Sequence, residues 1–175
     1  QFLVAEIYRS QGLPNLASPV YDKTLQMRNN IFSESHVHID IIETMFGLAM
    51  NHKALGHHDE ATNLFAELIK FNQELSFQLG VDTHVHLELC RLHYGTILKE
   101  QCQYDQAKQI LSEAGKNLAT LAMAKDNVHI ADGLLFMGAV RTVEGKYSSS
   151  EKMLQRSLTM KKDILGESNL ELAFI

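Results

Sequence analysis

Nowhere in this 175-residue sequence is there an apolar run of the about 18 residues that a bilayer-spanning helix requires, nor a charged leader followed by an apolar core. Membrane insertion and secretion are therefore unsupported, and the cytoplasm is the expected compartment. No like-charge run exceeds two residues, and 16 basic against 21 acidic residues give a net charge of -5, which argues against generic nucleic-acid binding. Only two cysteines occur, Cys90 and Cys102. The expected helix carries Cys90 and ends next to Cys102, so the 12 positions between them span about 18 Å, beyond the roughly 7 Å a disulfide tolerates, which fits a reducing compartment. The two prolines, Pro14 and Pro19, both fall near the opening of one expected helix, where Pro14 suits a first-turn position. Strand alternation, a Gly-rich phosphate loop and low-complexity linkers are missing too. The chain lacks an initiator Met and stops at Phe174-Ile175 as a new helix begins, so it reads as an excerpt of a longer protein.

What is present is repetition. Turn positions Gly12, Gly56, Cys102 and Gly145 recur at spacings of 44, 46 and 43 residues. Seven residues before each turn stand Ala5, Ala49, Gly95 and Gly138, and five after it stand Ala17, Ala61, Ala107 and Ser150. Small side chains on both sides of a turn let two antiparallel helices approach closely. Val4, Leu48, Tyr94 and Met137 before the turn, and Tyr21, Phe65, Leu111 and Leu154 after it, are the expected fillers of the remaining space. The pattern predicts helices over roughly Gln1 to Gln11, Pro14 to Phe32, His36 to Leu55, His58 to Leu79, His84 to Gln101, Tyr104 to Ala124, Val128 to Glu144 and Ser148 to Leu165. Ser35, Thr83, Asp126 or Asn127, and Ser168 or Asn169 are the expected N-caps, with Gly80 and Gly166 as helix stops.

Gly145-Lys146-Tyr147 followed by Ser150, with Leu134, Met137 and Gly138 upstream and Leu154 and Leu158 downstream, resembles the tetratricopeptide repeat (TPR). The long period and the closing segment from Ile164-Leu165-Gly166 to Leu172-Ala173 resemble the extended type found in kinesin light chains and nephrocystin-like proteins. The resemblance implies an all-α fold, a right-handed superhelix (α-solenoid) of tandem antiparallel helical hairpins with about four TPR-like repeats. The whole chain is then one solenoid, with hairpins at about 1–34, 35–82, 83–126 and 127–167, and a further helix starting in 168–175.

In such a superhelix the first helix of each hairpin lines the concave face, and the resemblance indicates which rows point inward. Those rows are Phe2, Phe46, Leu92 and Leu135; Glu6, Met50, Thr96 and Ala139; and Arg9, Lys53, Lys99 and Thr142. An apolar strip thus borders a basic one. The expected peptide-binding groove comprises Phe46, Met50, Lys53, Leu92, Thr96, Lys99, Leu135 and Ala139. It suits a partner segment with a bulky apolar residue flanked by Asp or Glu, and kinesin light chains take tryptophan-acidic cargo peptides of that kind. Where those proteins carry an Asn pair, this chain has Phe46-Gly47, Leu92-His93 and Leu135-Phe136, and the Lys and Asn of a carboxylate clamp are replaced by Phe46 and Met50. Two bland readings stand beside this one. The apolar row also fits ordinary packing on the second helices, and the basic row fits the helix dipole.

Metal binding is not expected. His36 with His38, and His84 with His86, diverge by about 200 degrees on a helix, and neither they nor His57-His58 match a ligand spacing. Cys90 and His93 share a helix face without a third group to make a catalytic set, so no enzyme activity or cofactor is expected. The expected function is a non-catalytic protein-protein interaction scaffold or adaptor, with cargo attachment in the manner of kinesin light chains as its most specific form. The alternative is a structural or autoregulatory segment whose groove is filled by its own chain or by self-association.

Overall fold

A computed structural model describes residues 1–32, 38–79, 85–124 and 127–166. Among them run eight α-helices: α1 (Phe2–Ser10), α2 (Pro14–Ile31), α3 (Ile39–Leu55), α4 (His58–Leu79), α5 (Val85–Glu100), α6 (Tyr104–Ala124), α7 (Val128–Val143) and α8 (Tyr147–Leu165). Consecutive helices pair as antiparallel hairpins, α1 with α2, α3 with α4, α5 with α6 and α7 with α8. The chain divides into two compact units, residues 1–82 and 83–175, each holding two hairpins.

One turn is built four times. A residue one or two positions past the first helix adopts a left-handed backbone, with φ of 71° at Gly12, 76° at Gly56, 62° at Cys102 and 74° at Gly145. Its N–H bonds back to the carbonyl of Arg9, Lys53, Lys99 or Thr142, while the next N–H bonds one residue further back, Leu13 to Tyr8, His57 to His52, Gln103 to Leu98 and Lys146 to Arg141, at 2.8–2.9 Å. This paired arrangement satisfies the carbonyls that a helix end otherwise leaves bare. The same residues open the second helix, since the carbonyls of Leu13, His57, Gln103 and Lys146 accept from Ala17, Ala61, Ala107 and Ser150. One helix is therefore stopped and the next started within three residues.

The small residues do what their size allows. Ala5, Ala49, Ala17, Ala61, Ala107 and Ser150 are all buried. A Cβ placed on Gly95 would lie 2.7 Å from Leu111 Cγ, and one on Gly138 would lie 2.6 Å from Leu154 Cδ2. Those distances are well inside van der Waals contact, so the second helix lies where only glycine leaves room. Ser150 also donates to the carbonyl of Gly138 at 2.8 Å, across the hairpin.

Within the first unit, Ala5, Ala17, Tyr21 and Leu48 form a core that joins α1, α2 and α3. Asn51 of α3 donates to the carbonyl of Pro14 at 3.0 Å and to Ser18 Oγ at 2.7 Å, tying the second hairpin to the start of α2. Within the second unit, Leu92, Leu111, Ala114, Leu118, Leu134 and Met137 form a core shared by α5, α6 and α7. Glu88 sits fully buried in that unit, accepting from Arg91 at 2.9 Å and from Asn117 of α6 at 3.1 Å.

Two sequence expectations need correcting. Val4 was expected beside Ala5 as a filler, yet it is 45% exposed. Its repeat equivalent Leu48 is buried against α2, the helix before it, and α1 has no described helix in that place. Pro19 lies in the second turn of α2, and the helix continues past it to Ile31. For α3, His38 is the cap, its Nδ1 accepting from the N–H of Asp40 at 3.2 Å while its ring stacks on Phe32 at 3.6 Å. Asn127 does cap α7, accepting from His129 at 2.8 Å, and Gly166 ends α8. Ser35, His36, Gly80, Thr83, His84, Asp126, Ser168 and Asn169 lie outside the described residues.

Candidate partner-binding face

On each first helix the expected groove residues stand four and three apart: Phe46, Met50 and Lys53 on α3, Leu92, Thr96 and Lys99 on α5, Leu135 and Ala139 on α7. That spacing keeps them on one side of a helix. In the first unit Phe46 is partly buried and meets Phe65 of α4 edge-on, with ring centroids 5.9 Å apart. Met50 and Lys53 continue the row, also partly buried. In the second unit Thr96 is partly buried and donates to the carbonyl of His93 at 2.7 Å, Lys99 lies in the last turn of α5, Leu135 is partly buried and Ala139 is exposed.

Leu92 does not belong to that surface. It is 0% exposed and belongs to the core with Leu111, Leu118 and Leu134. The basic row also changes at its first member. Arg9 donates to Glu6 at 2.6 Å, and Tyr21 donates to the same carboxylate. The bond to Glu6 raises the Arg9 pKa, outweighing burial, and burial followed by that carboxylate raises the Tyr21 pKa. This knot passes over Gly47, where a Cβ would stand 2.6 Å from the Tyr21 ring and 2.8 Å from Glu6 Oε1. Glycine at that position in α3 leaves room for the contact between the first two hairpins.

The structure adds a pair that sequence reasoning noted only as a missing Asn pair. His93 of α5 and Phe136 of α7 are partly buried with ring centroids 5.1 Å apart, and about two helical turns earlier His86 and His129 meet at 5.6 Å. A ring seam therefore runs between α5 and α7, beside Thr96 and Leu135. Both His93 and Phe136 fall nine residues before their turns, a coincidence visible in the repeat alignment.

Chemistry by a cysteine nucleophile finds no support at Cys90. The thiol is 1% exposed, and burial, reinforced by the Glu88 charge, pushes its pKa up to about 12. It is therefore a neutral core side chain near neutral pH. Among the described residues no group of three or more His, Cys, Asp or Glu side chains gathers to hold a metal, and no helix is long and apolar enough to cross a membrane.

Comparison with protein-family models gives no match, and no curated protein matches the sequence. Solved structures do match. The crystal structure of BtubC (BKLC) from P. vanneervenii is similar with a TM-score of 0.65 and 19% identity over 95% of this chain, which spans only 64% of the BtubC chain. A crystal structure of Podosopora anserina putative kinesin light chain nearly identical TPR-like repeats gives a TM-score of 0.53 at 9% identity, covering 96% of this chain and 95% of that one. A point-substituted form of those repeats gives 0.53 at 10% identity, with 94% of each chain covered. Such identities speak to fold. With the four-fold turn and the small residues at its flanks, they establish that this chain has the TPR-like all-α repeat fold.

Proposed function

We propose that this chain is a non-catalytic protein-interaction scaffold that holds a partner peptide or helix on the side of its first helices, each unit taken by itself: Phe46, Met50 and Lys53 in the first, and Thr96, Lys99, Leu135 and Ala139 in the second. The observation that carries this reading is the recurrence of a partly buried side chain one turn before a lysine, Met50 before Lys53 on α3 and Thr96 before Lys99 on α5. Such a side chain still has surface to contribute, whereas a fully buried one such as Leu92 has none. The His93–Phe136 pair extends the offered surface with rings, and aromatic groups recur where binding energy is concentrated. Lys53 and Lys99 set the charge preference. A partner segment with a central aromatic residue flanked by Asp or Glu complements both features.

The finer form of this proposal is a cytoplasmic adaptor that attaches cargo in the manner of a kinesin light chain, a reading supported by likeness in fold to the repeats of a putative kinesin light chain. The competing reading is a face covered by the protein's own chain or by a second copy. Salt separates the two, because exposed charges more than about 10 Å apart are screened at 0.1 M ionic strength while apolar contacts are nearly indifferent.

Fluorescence anisotropy of a labelled acidic peptide with a central Trp tests it, using the wild-type chain and a Lys53→Glu, Lys99→Glu variant at low and high salt. Binding that weakens with salt and drops at least about tenfold in the variant is expected, equivalent to about 1.4 kcal/mol for the two charge reversals. Equal binding by both proteins, or none, contradicts the basic row and favours the covered face.

A further inference from the structure

In each hairpin the turn joins two residues by one backbone bond, the fourth before the left-handed residue and the first after it. The pairs are Tyr8 with Leu13, His52 with His57, Leu98 with Gln103 and Arg141 with Lys146. Their side chains emerge side by side, and in helix ends of this type the two places are commonly filled by apolar residues in contact. Tyr8 and Leu13 are of that residue type. Arg141 and Lys146 are not: both cations converge on the carboxylate of Glu144, each at 2.8 Å. The turn thus works as a two-armed pincer, and the fourth hairpin closes it on an anion.

In the second hairpin both arms are imidazoles, and the residue equivalent to Glu144 is Leu55, which offers no charge. His52 Nδ1 and His57 Nδ1 face each other at 3.4 Å, with ring centroids 5.7 Å apart and the rings inclined at 38°. Two imidazole nitrogens bound to one tetrahedral zinc ion at about 2.0–2.1 Å stand about 3.3–3.4 Å apart, the bite of this pair. The backbone beneath is already fixed, His57 N–H donating to the His52 carbonyl at 2.9 Å, so closing on an ion requires little further ordering. Both rings sit at the C-terminal end of α3, where the helix dipole favours positive charge.

We propose that the α3–α4 turn binds one borderline divalent metal ion, zinc by preference over magnesium or calcium, through His52 Nδ1 and His57 Nδ1. With both rings in the Nε2–H tautomer, each Nδ1 offers a lone pair, and an ion held between them replaces the ring-to-ring hydrogen bond. Nitrogen donors without a carboxylate select against the hard oxygen-seeking cations. No third His, Cys, Asp or Glu joins the pair among the described residues, so water or a donor from a bound partner completes the coordination. The site clips the second hairpin at its turn and leaves an exchangeable position facing outward.

Isothermal titration of the whole chain with zinc chloride, and in parallel with magnesium chloride, tests the proposal alongside His52→Gln, His57→Gln and a control His86→Gln. Far-UV circular dichroism in chelator verifies that each variant folds, and imidazole nitrogen resonances report which rings respond. The expected result is one zinc equivalent, a shift at His52 and His57, at least tenfold weaker binding in either of those variants, unchanged binding in His86→Gln and no magnesium binding. The proposal is overturned if the wild-type chain binds no zinc at millimolar concentration, if both turn variants bind as tightly as wild type, or if only His86→Gln loses the metal.

Discussion

At the scale of single residues, Cys102 is the most instructive position. It holds φ of 62° where the other three turns use glycine, and a side chain in that conformation costs about 1–2 kcal/mol. Glycine relieves the cost but gives back part of it through the freer unfolded chain, so Cys102→Gly is expected to stabilise the protein by up to about 1 kcal/mol. Urea unfolding monitored by circular dichroism checks this, and a destabilised variant would mean that the turn is not under strain. The sequence reading reached Cys102 through repeat spacing, because the turn is purely local and its hydrogen bonds depend on residues within five positions. Leu92 and Val4 were misjudged for the opposite reason. Whether a residue is covered depends on the neighbouring hairpin, which the period of one helix does not reveal.

At the scale of the element, the hairpin is held by close approach at the small residues. Gly95→Leu places a branched side chain where even a Cβ would lie 2.7 Å from Leu111, and Ala61→Leu does the same at a position with no exposed surface. Each is expected to cost about 1–3 kcal/mol by overpacking, read as a lower urea midpoint with helix content retained. An unchanged midpoint for both would refute the assigned register. Helix boundaries were legible to within a few residues since Pro14, Gly56, Asn127 and Gly166 carry their own chemistry. The His52–His57 pair was not, because ligand spacing was sought within one helix and the two rings meet across a turn. The His38 cap was hidden too, a histidine being an unusual choice for a position that serine or aspartate normally fills.

At the scale of the whole molecule, the first helices of each unit repeat the same rows of residue types. A net charge of -5 opposes an acidic partner at long range, so Lys53 and Lys99 must act locally if such a partner is held. The tandem helical hairpins were readable from repetition and small residues, and the TPR-like fold from the family resemblance. The candidate face was readable only as rows of residue types, since its partial burial and the His93–Phe136 contact arise from packing between hairpins. Amide chemical shifts of the isotopically labelled chain, titrated with the acidic Trp peptide, test the central claim most directly. The account expects perturbations concentrated on α3, α5 and α7 around Phe46, Met50, Lys53, Thr96, Lys99, Leu135 and Ala139. Perturbations confined to α4, α6 and α8, or none at millimolar peptide, would contradict it.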